Sequence, residues 1–102
     1  MYAVIFRAEI AHLDKEYDQT AKELRDLALT RYGCSEFVSV TEGDKEIAIS
    51  YWDSEDQIRA WKKDADHLVA QEFGMTKWYK SYRVQVVEIK RDYGKTHNKS
   101  LD

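Results

Sequence analysis

Alternation opens the chain. Tyr2, Val4, Phe6, Ala8 and Ile10 share one face of an extended segment, with Ala3, Ile5, Arg7 and Glu9 on the other. That period of two marks a strand with one well-buried face. The period then lengthens. Asp14 is suited to cap a helix, and Tyr17, Ala21, Leu24 and Ala28 recur at helical spacing up to about Tyr32, with Leu27 widening the stripe. Glu16 and Asp18 fall in the first turn and Arg31 in the last, as the helix dipole favours. Gly33 follows where a helix end calls for positive φ. Two further strands, Glu36–Thr41 and Glu46–Trp52, flank a Gly43-Asp44 turn and predict a hairpin. In the second of them Ile47, Ile49 and Tyr51 oppose Glu46, Ala48 and Ser50, which puts Tyr51 on the expected buried face.

A second helix is predicted over Ser54–Gly74. Ser54 and Gln57 have capping-box spacing, Glu55 and Asp56 load the first turn with negative charge, and Ile58, Trp61, Ala65, Leu68 and Val69 form the apolar stripe. Met75–Lys80 is then a short turn before a last strand over Tyr82–Arg91. That strand changes phase: Tyr82, Val84 and Val86 share one face, Val87 and Ile89 the other. Either a bulge sits near Val86-Val87 or the strand is covered on both faces.

The order is therefore β-α-β-β-α-β, an α+β, ferredoxin-like sandwich with both helices on one side of an antiparallel sheet. One domain spans residues 1–94, and a polar tail over residues 95–102 is expected to be mobile. Ala3, Ile5, Val87 and Ile89 make the second sheet face too apolar for water, so a homodimer through that face is expected.

Composition narrows the chemistry. At 102 residues there is room for one core, and 43% apolar with 34% charged residues argues against disorder. The net charge of −3 gives no electrostatic reason to expect nucleic acid or an anionic membrane as partner. No apolar run reaches the roughly 20 residues that span a bilayer, and the start lacks the pattern of a signal peptide. The one cysteine, Cys34, cannot close an internal disulfide, which suits a cytoplasmic setting. Three Trp and seven Tyr exceed what so small a core needs, so some rings are expected to line a pocket or an interface. His12, His67, His97 and Cys34 lack metal-ligand spacing, and no G-x-S-x-G, C-x-x-C or Gly-rich phosphate loop occurs. Neither a metal nor a cofactor is expected.

The run Ile47-Ala48-Ile49-Ser50-Tyr51-Trp52-Asp53-Ser54-Glu55-Asp56, followed by Ile58-Arg59-Ala60-Trp61 and His67-Leu68-Val69-Ala70-Gln71, resembles the antibiotic biosynthesis monooxygenase family. Trp78-Tyr79, Tyr82-Arg83-Val84 and Arg91-Asp92-Tyr93-Gly94 are similar to one bacterial branch of it. The resemblance covers about residues 2–94. It implies a dimeric α+β barrel whose protomers each hold a pocket between helices and sheet. It also implies activities that include cofactor-free oxygenation of aromatic phenols, quinol oxidation and haem degradation. In the cofactor-free reaction the substrate supplies the electrons, so the protein needs an apolar slot, a base and exclusion of water.

Carried over residue by residue, Trp52 matches the strand-end Trp of the polyketide-oxidising members, and Ala48 stands where they have a partner Asn. Trp61 matches the helix Trp of the haem-degrading members, whose iron-ligand His would fall at Gln71, and the first strand has no Asn. The leading expectation is a cofactor-independent monooxygenase acting on a small aromatic or quinol substrate. Trp52 and the base His67 would be catalytic, and Tyr51, Trp61 and Tyr82 would bind substrate. The competing expectation is a non-catalytic dimeric module that binds a small hydrophobic molecule or serves a stress response. A haem-binding or haem-degrading role is disfavoured.

Overall fold

A computed structural model describes residues 1–71 and 77–96, the side chains of residues 67–71 excepted. The expectations about His67, Gln71, Gly74, Met75 and the tail from His97 therefore lie outside the described residues. Six elements follow in order: β1 (Tyr2–Ile10), α1 (Lys15–Thr30), β2 (Glu36–Glu42), β3 (Lys45–Trp52), α2 (Glu55–Gln71) and β4 (Tyr79–Glu88). The strands form one antiparallel sheet in the order β2-β3-β1-β4, the ferredoxin-like plan.

Local chemistry accounts for the boundaries. Asp14 caps α1, its Oδ1 accepting the Tyr17 amide at 2.8 Å. Gly33, at φ +80°, turns the chain out of that helix, and Gly43, at φ +60°, opens the two-residue link in the hairpin whose last pair is Glu42 with Lys45. Ser54 and Gln57 form the reciprocal capping box: the Gln57 amide donates to Ser54 Oγ at 3.3 Å and the Ser54 amide to Gln57 Oε1 at 3.2 Å.

Gly33 is constrained twice, because a Cβ there would meet Gln57 Nε2 at 2.6 Å and so press on the residue that caps α2. Gly33→Ala is expected to cost about 1–2 kcal/mol through the left-handed backbone and the displaced cap. A thermal melt would register it as a lowered midpoint.

Val4, Ala28, Cys34, Trp52 and Ile58 form the core between helices and sheet, with Tyr2, Tyr32, Phe37 and Trp61 packed against it. Burial also pushes the Cys34 thiol above its ordinary range, consistent with a small apolar filler that donates to the Glu36 carbonyl at 3.1 Å.

The register corrects one expectation. Tyr2 pairs with Trp52, Val4 with Ser50 and Phe6 with Ala48, so the helix-facing set of β3 is Glu46, Ala48, Ser50 and Trp52. Ile47, Ile49 and Tyr51 lie on the opposite face. Alternation alone could not choose between the faces, because both sides of this sheet are apolar; the fully buried Trp52 decides the parity. A second correction concerns β4. It begins at Tyr79 rather than Tyr82, and its register against β1 runs unbroken through Val86 and Val87, the irregularity lying at Glu9/Ile10. The phase change is no bulge: the helix-side face carries Tyr82, Val84 and Val86, and the outer face turns apolar at Val87 after Ser81, Arg83 and Gln85.

The outer face carries Ala3, Ile5, Ile47, Ile49 and Val87, together with Val38 and Val40 of β2. Val40 is 62% exposed and Val38 46%. A contiguous apolar surface of this sort marks a contact surface in soluble proteins.

Candidate functional site

A cleft of about 230 Å³ lies between the two helices and the sheet. It runs along α1 from Tyr17 to Leu24, with β1, β3 and β4 as its floor.

One wall is aromatic. The Trp61 indole N–H donates to the Leu24 carbonyl at 3.0 Å, tying α2 to α1 and fixing the ring plane. Its ring lies 5.3 Å from Trp52 and 6.2 Å, nearly edge-on, from Phe37. On the floor Phe6 stacks with Tyr82 at 6.1 Å and meets Tyr79 edge-on at 5.4 Å. Val84 and Val86, left partly uncovered by the helices, continue the apolar floor along β4.

At the Tyr17 end the cleft becomes polar. Tyr17 donates its hydroxyl to one oxygen of Glu46, and Tyr79 donates to the other at 3.2 Å. The two tyrosine rings also touch, edge to face, at 6.0 Å. Burial, and then the hydrogen bond to Glu46, push the Tyr17 phenol well above its ordinary value of 10.0. Burial first, and then Tyr17 and Glu46, do the same to Tyr79. Both phenols therefore remain donors through the neutral range, and Glu46 keeps lone pairs free for a further donor.

The unfolded chain ionises these phenols near pH 10, so the stability they add is complete below that pH and is lost as the pH rises above it. A melting midpoint that holds steady to about pH 9 and then falls is expected, with a shallower fall in Tyr17→Phe.

The far end, beside Leu24 and Trp61, carries Arg25 of α1 and Lys62 and Asp66 of α2. Lys62 and Asp66 pair with each other at 2.8 Å. Tyr32, just past the end of α1, donates to Asp64 of α2, a second tie between these segments.

The anticipated residues are divided by this geometry. Trp61 and Tyr82 line the cleft together. Trp52 sits behind Trp61, wholly buried, with its indole N–H given to Ser50 Oγ at 2.8 Å. Tyr51 is on the other side of the sheet, in an open groove with Ala3, Ile5, Ile49 and Ile89. Ala48 does face the cleft, offering a methyl group to its floor. The side chain of His67 lies outside the described residues.

Glu46, Tyr79 and Arg25 are cleft residues that sequence reasoning misses. The inverted parity of β3 places Glu46 on the solvent face, and Tyr79 falls in the expected turn before β4. The signal available is the shared parity of Glu46 and Trp52, since a Trp at a strand end turns inward.

Among the described residues no group of three or more His, Cys, Asp or Glu gathers where it could hold a metal ion. The described lining also does not fit a haem: it offers no His, Cys or Met for an iron, and the hydroxyls of Tyr17 and Tyr79 are turned to Glu46. No helix among the described residues is long and apolar enough to cross a membrane.

No family model matches the chain. It is 40% identical over 91 residues to the Bacillus subtilis (strain 168) protein YqjZ, a match covering 88% of this chain and 80% of that one. Its fold is similar to that of SnoaB, a cofactor-independent oxygenase from Streptomyces nogalater, solved as a point mutant. The TM-score is 0.73 at 10% identity, covering 92% of this chain and 97% of that one. A Chloroflexus aurantiacus protein described as a putative antibiotic biosynthesis monooxygenase superposes with a TM-score of 0.55 at 17% identity, covering 91% and 98%.

Proposed function

The chain belongs to one family with YqjZ, within the antibiotic-biosynthesis-monooxygenase-like α+β fold, and on that premise we propose that its cleft binds a small hydroxylated aromatic and lets it react with O₂ without a cofactor. The observation that carries the proposal is Glu46, a half-buried carboxylate held by two protonated tyrosines at the end of an aromatic-walled cleft.

A quinol or anthrone-like phenol lying flat against Trp61 and Tyr82 presents its hydroxyl to Glu46. Transfer of that proton to the carboxylate leaves an electron-rich phenolate, and the surrounding apolar walls keep water from competing. The substrate supplies all four electrons that reduce O₂. In an anthrone the ring CH₂ becomes a carbonyl; in a hydroquinone a ring C–H becomes C–OH as the ring is oxidised to the quinone. In each case the second oxygen leaves as water. Glu46 is the first proton acceptor in this scheme, with His67 of α2 as the second candidate. Trp52 braces Trp61 from behind. Two copies of the chain pair through the outer sheet face, where Tyr51 belongs to the contact between them. Light scattering at tens of micromolar is expected to give twice the mass of one chain; a monomer at that concentration would contradict the pairing.

One observation favours a second reading, binding without turnover. Ala48 gives the cleft no hydrogen-bond donor, and the indole N–H of Trp52 is already committed to Ser50. Oxygen-uptake assays over a panel of hydroquinones and anthrones separate the two. Uptake that follows protein concentration supports the oxygenase, whereas tight binding with no oxygen consumed across the panel supports the binding module.

A further inference from the structure

The cleft has two chemically distinct ends. At one, Tyr17 and Tyr79 hold Glu46 as an acceptor for a hydroxyl. At the other, Arg25 lines the cleft half-buried and makes no ion pair or side-chain hydrogen bond with any described residue. The carboxylates around it are already engaged: Asp66 pairs with Lys62 at 2.8 Å, and Asp26, which feels the Arg25 charge, pairs with Lys22 at 2.7 Å. Tyr17 and Arg25 are eight residues apart on α1, which puts their Cα atoms about 12 Å apart along the helix axis. Between them the lining is mainly rings and aliphatic groups, with Ser39 beside Ala48 on the floor.

From this we infer that the ligand is a flat hydroxylated aromatic acid that spans the cleft, its hydroxyl on Glu46 and its carboxylate, or another anion, on the Arg25 guanidinium. The inference rests on the cleft being the ligand site proposed above and adds the class of substituent at the far end. A guanidinium forks onto a carboxylate with two parallel N–H donors, a geometry that a neutral substituent cannot use. A half-buried cation with no ion-pair partner among the described residues also leaves a cost that an anionic ligand relieves, so the preference extends beyond simple attraction. The spacing sets the shape: the two polar groups must sit at opposite ends of the ring system.

Quenching of tryptophan emission in the full chain at neutral pH, with three naphthalene probes, tests this. The probe 6-hydroxy-2-naphthoate carries its hydroxyl and carboxylate at opposite ends. In 6-methyl-2-naphthol the carboxylate is replaced by a methyl group, and in 3-hydroxy-2-naphthoate both groups share one end. The first is expected to bind about tenfold more tightly than either of the others. Arg25→Gln is expected to abolish that preference, and Arg25→Lys to keep part of it. Equal affinities in the native chain, or a preference that survives Arg25→Gln, would overturn the inference while leaving the aromatic cleft intact. Failure of all three probes to bind would remove the cleft reading as well.

Discussion

Glu46→Gln is expected to lower oxygen uptake on an accepted hydroquinone by on the order of a hundredfold or more, the usual effect of losing a positioned base. The amide still accepts through its one oxygen, so either Tyr17 or Tyr79 keeps a partner and the fold persists. The loss should therefore appear in turnover, read with an oxygen electrode, far more than in the melting curve. Tyr17→Phe gives the complementary case: it frees one Glu46 oxygen but leaves the carboxylate in place, and turnover should fall much less. Uptake that survives Glu46→Gln and vanishes in His67→Ala would move the proton acceptor from the sheet to α2.

Trp52→Ala is expected to be the most damaging substitution for stability, at about 3–5 kcal/mol. The side chain has no exposed surface and packs among Val4, Ala28, Cys34 and Ile58. Its removal opens a cavity behind Trp61 and leaves the buried Ser50 hydroxyl without its indole partner. A domain of this size has only about 5–15 kcal/mol in hand. With roughly 4 °C or more of melting temperature per kcal/mol, the midpoint should drop by at least about 12 °C. Trp52→Phe, which keeps most of the ring volume and loses the N–H, should cost far less. Comparing the two by urea titration separates packing from the hydrogen bond.

Much of the fold can be read from side-chain periodicity and caps. Asp14, Gly33, the Gly43 turn and the Ser54/Gln57 box each specify their structure through local chemistry, and each stands where its residue type requires. The site is less legible, for a physical reason. The outer face of β3, with Ile47, Ile49 and Tyr51, is more apolar than the helix-facing set Glu46, Ala48, Ser50 and Trp52, so alternation assigns Tyr51 to the cleft and Glu46 to solvent, and the structure reverses both. The residues leading into β4 are hidden similarly. Lys77 and Trp78 look like a polar-aromatic turn, but Lys77 pairs with Asp14 at 2.9 Å and the Trp78 indole donates to the same carboxylate at 3.2 Å. Those contacts join the start of β4 to the start of α1 and bring Tyr79 beside Glu46. Such long-range contacts leave no trace in local spacing. Trp61 and Tyr82 are legible because a Trp on an apolar helical stripe and a Tyr on a sheet floor must both face the space between the layers.

The most direct test of an aromatic ligand site between helices and sheet is the response of the three indole N–H resonances and the sheet amides when 6-methyl-2-naphthol is titrated into the ¹⁵N-labelled chain. The account predicts a saturable shift of the Trp61 indole signal together with the Glu46 and Tyr82 amides, while the amides of Ile5, Ile49 and Tyr51 stay in place. Shifts confined to those outer-face amides, with Trp61 unmoved, would contradict it.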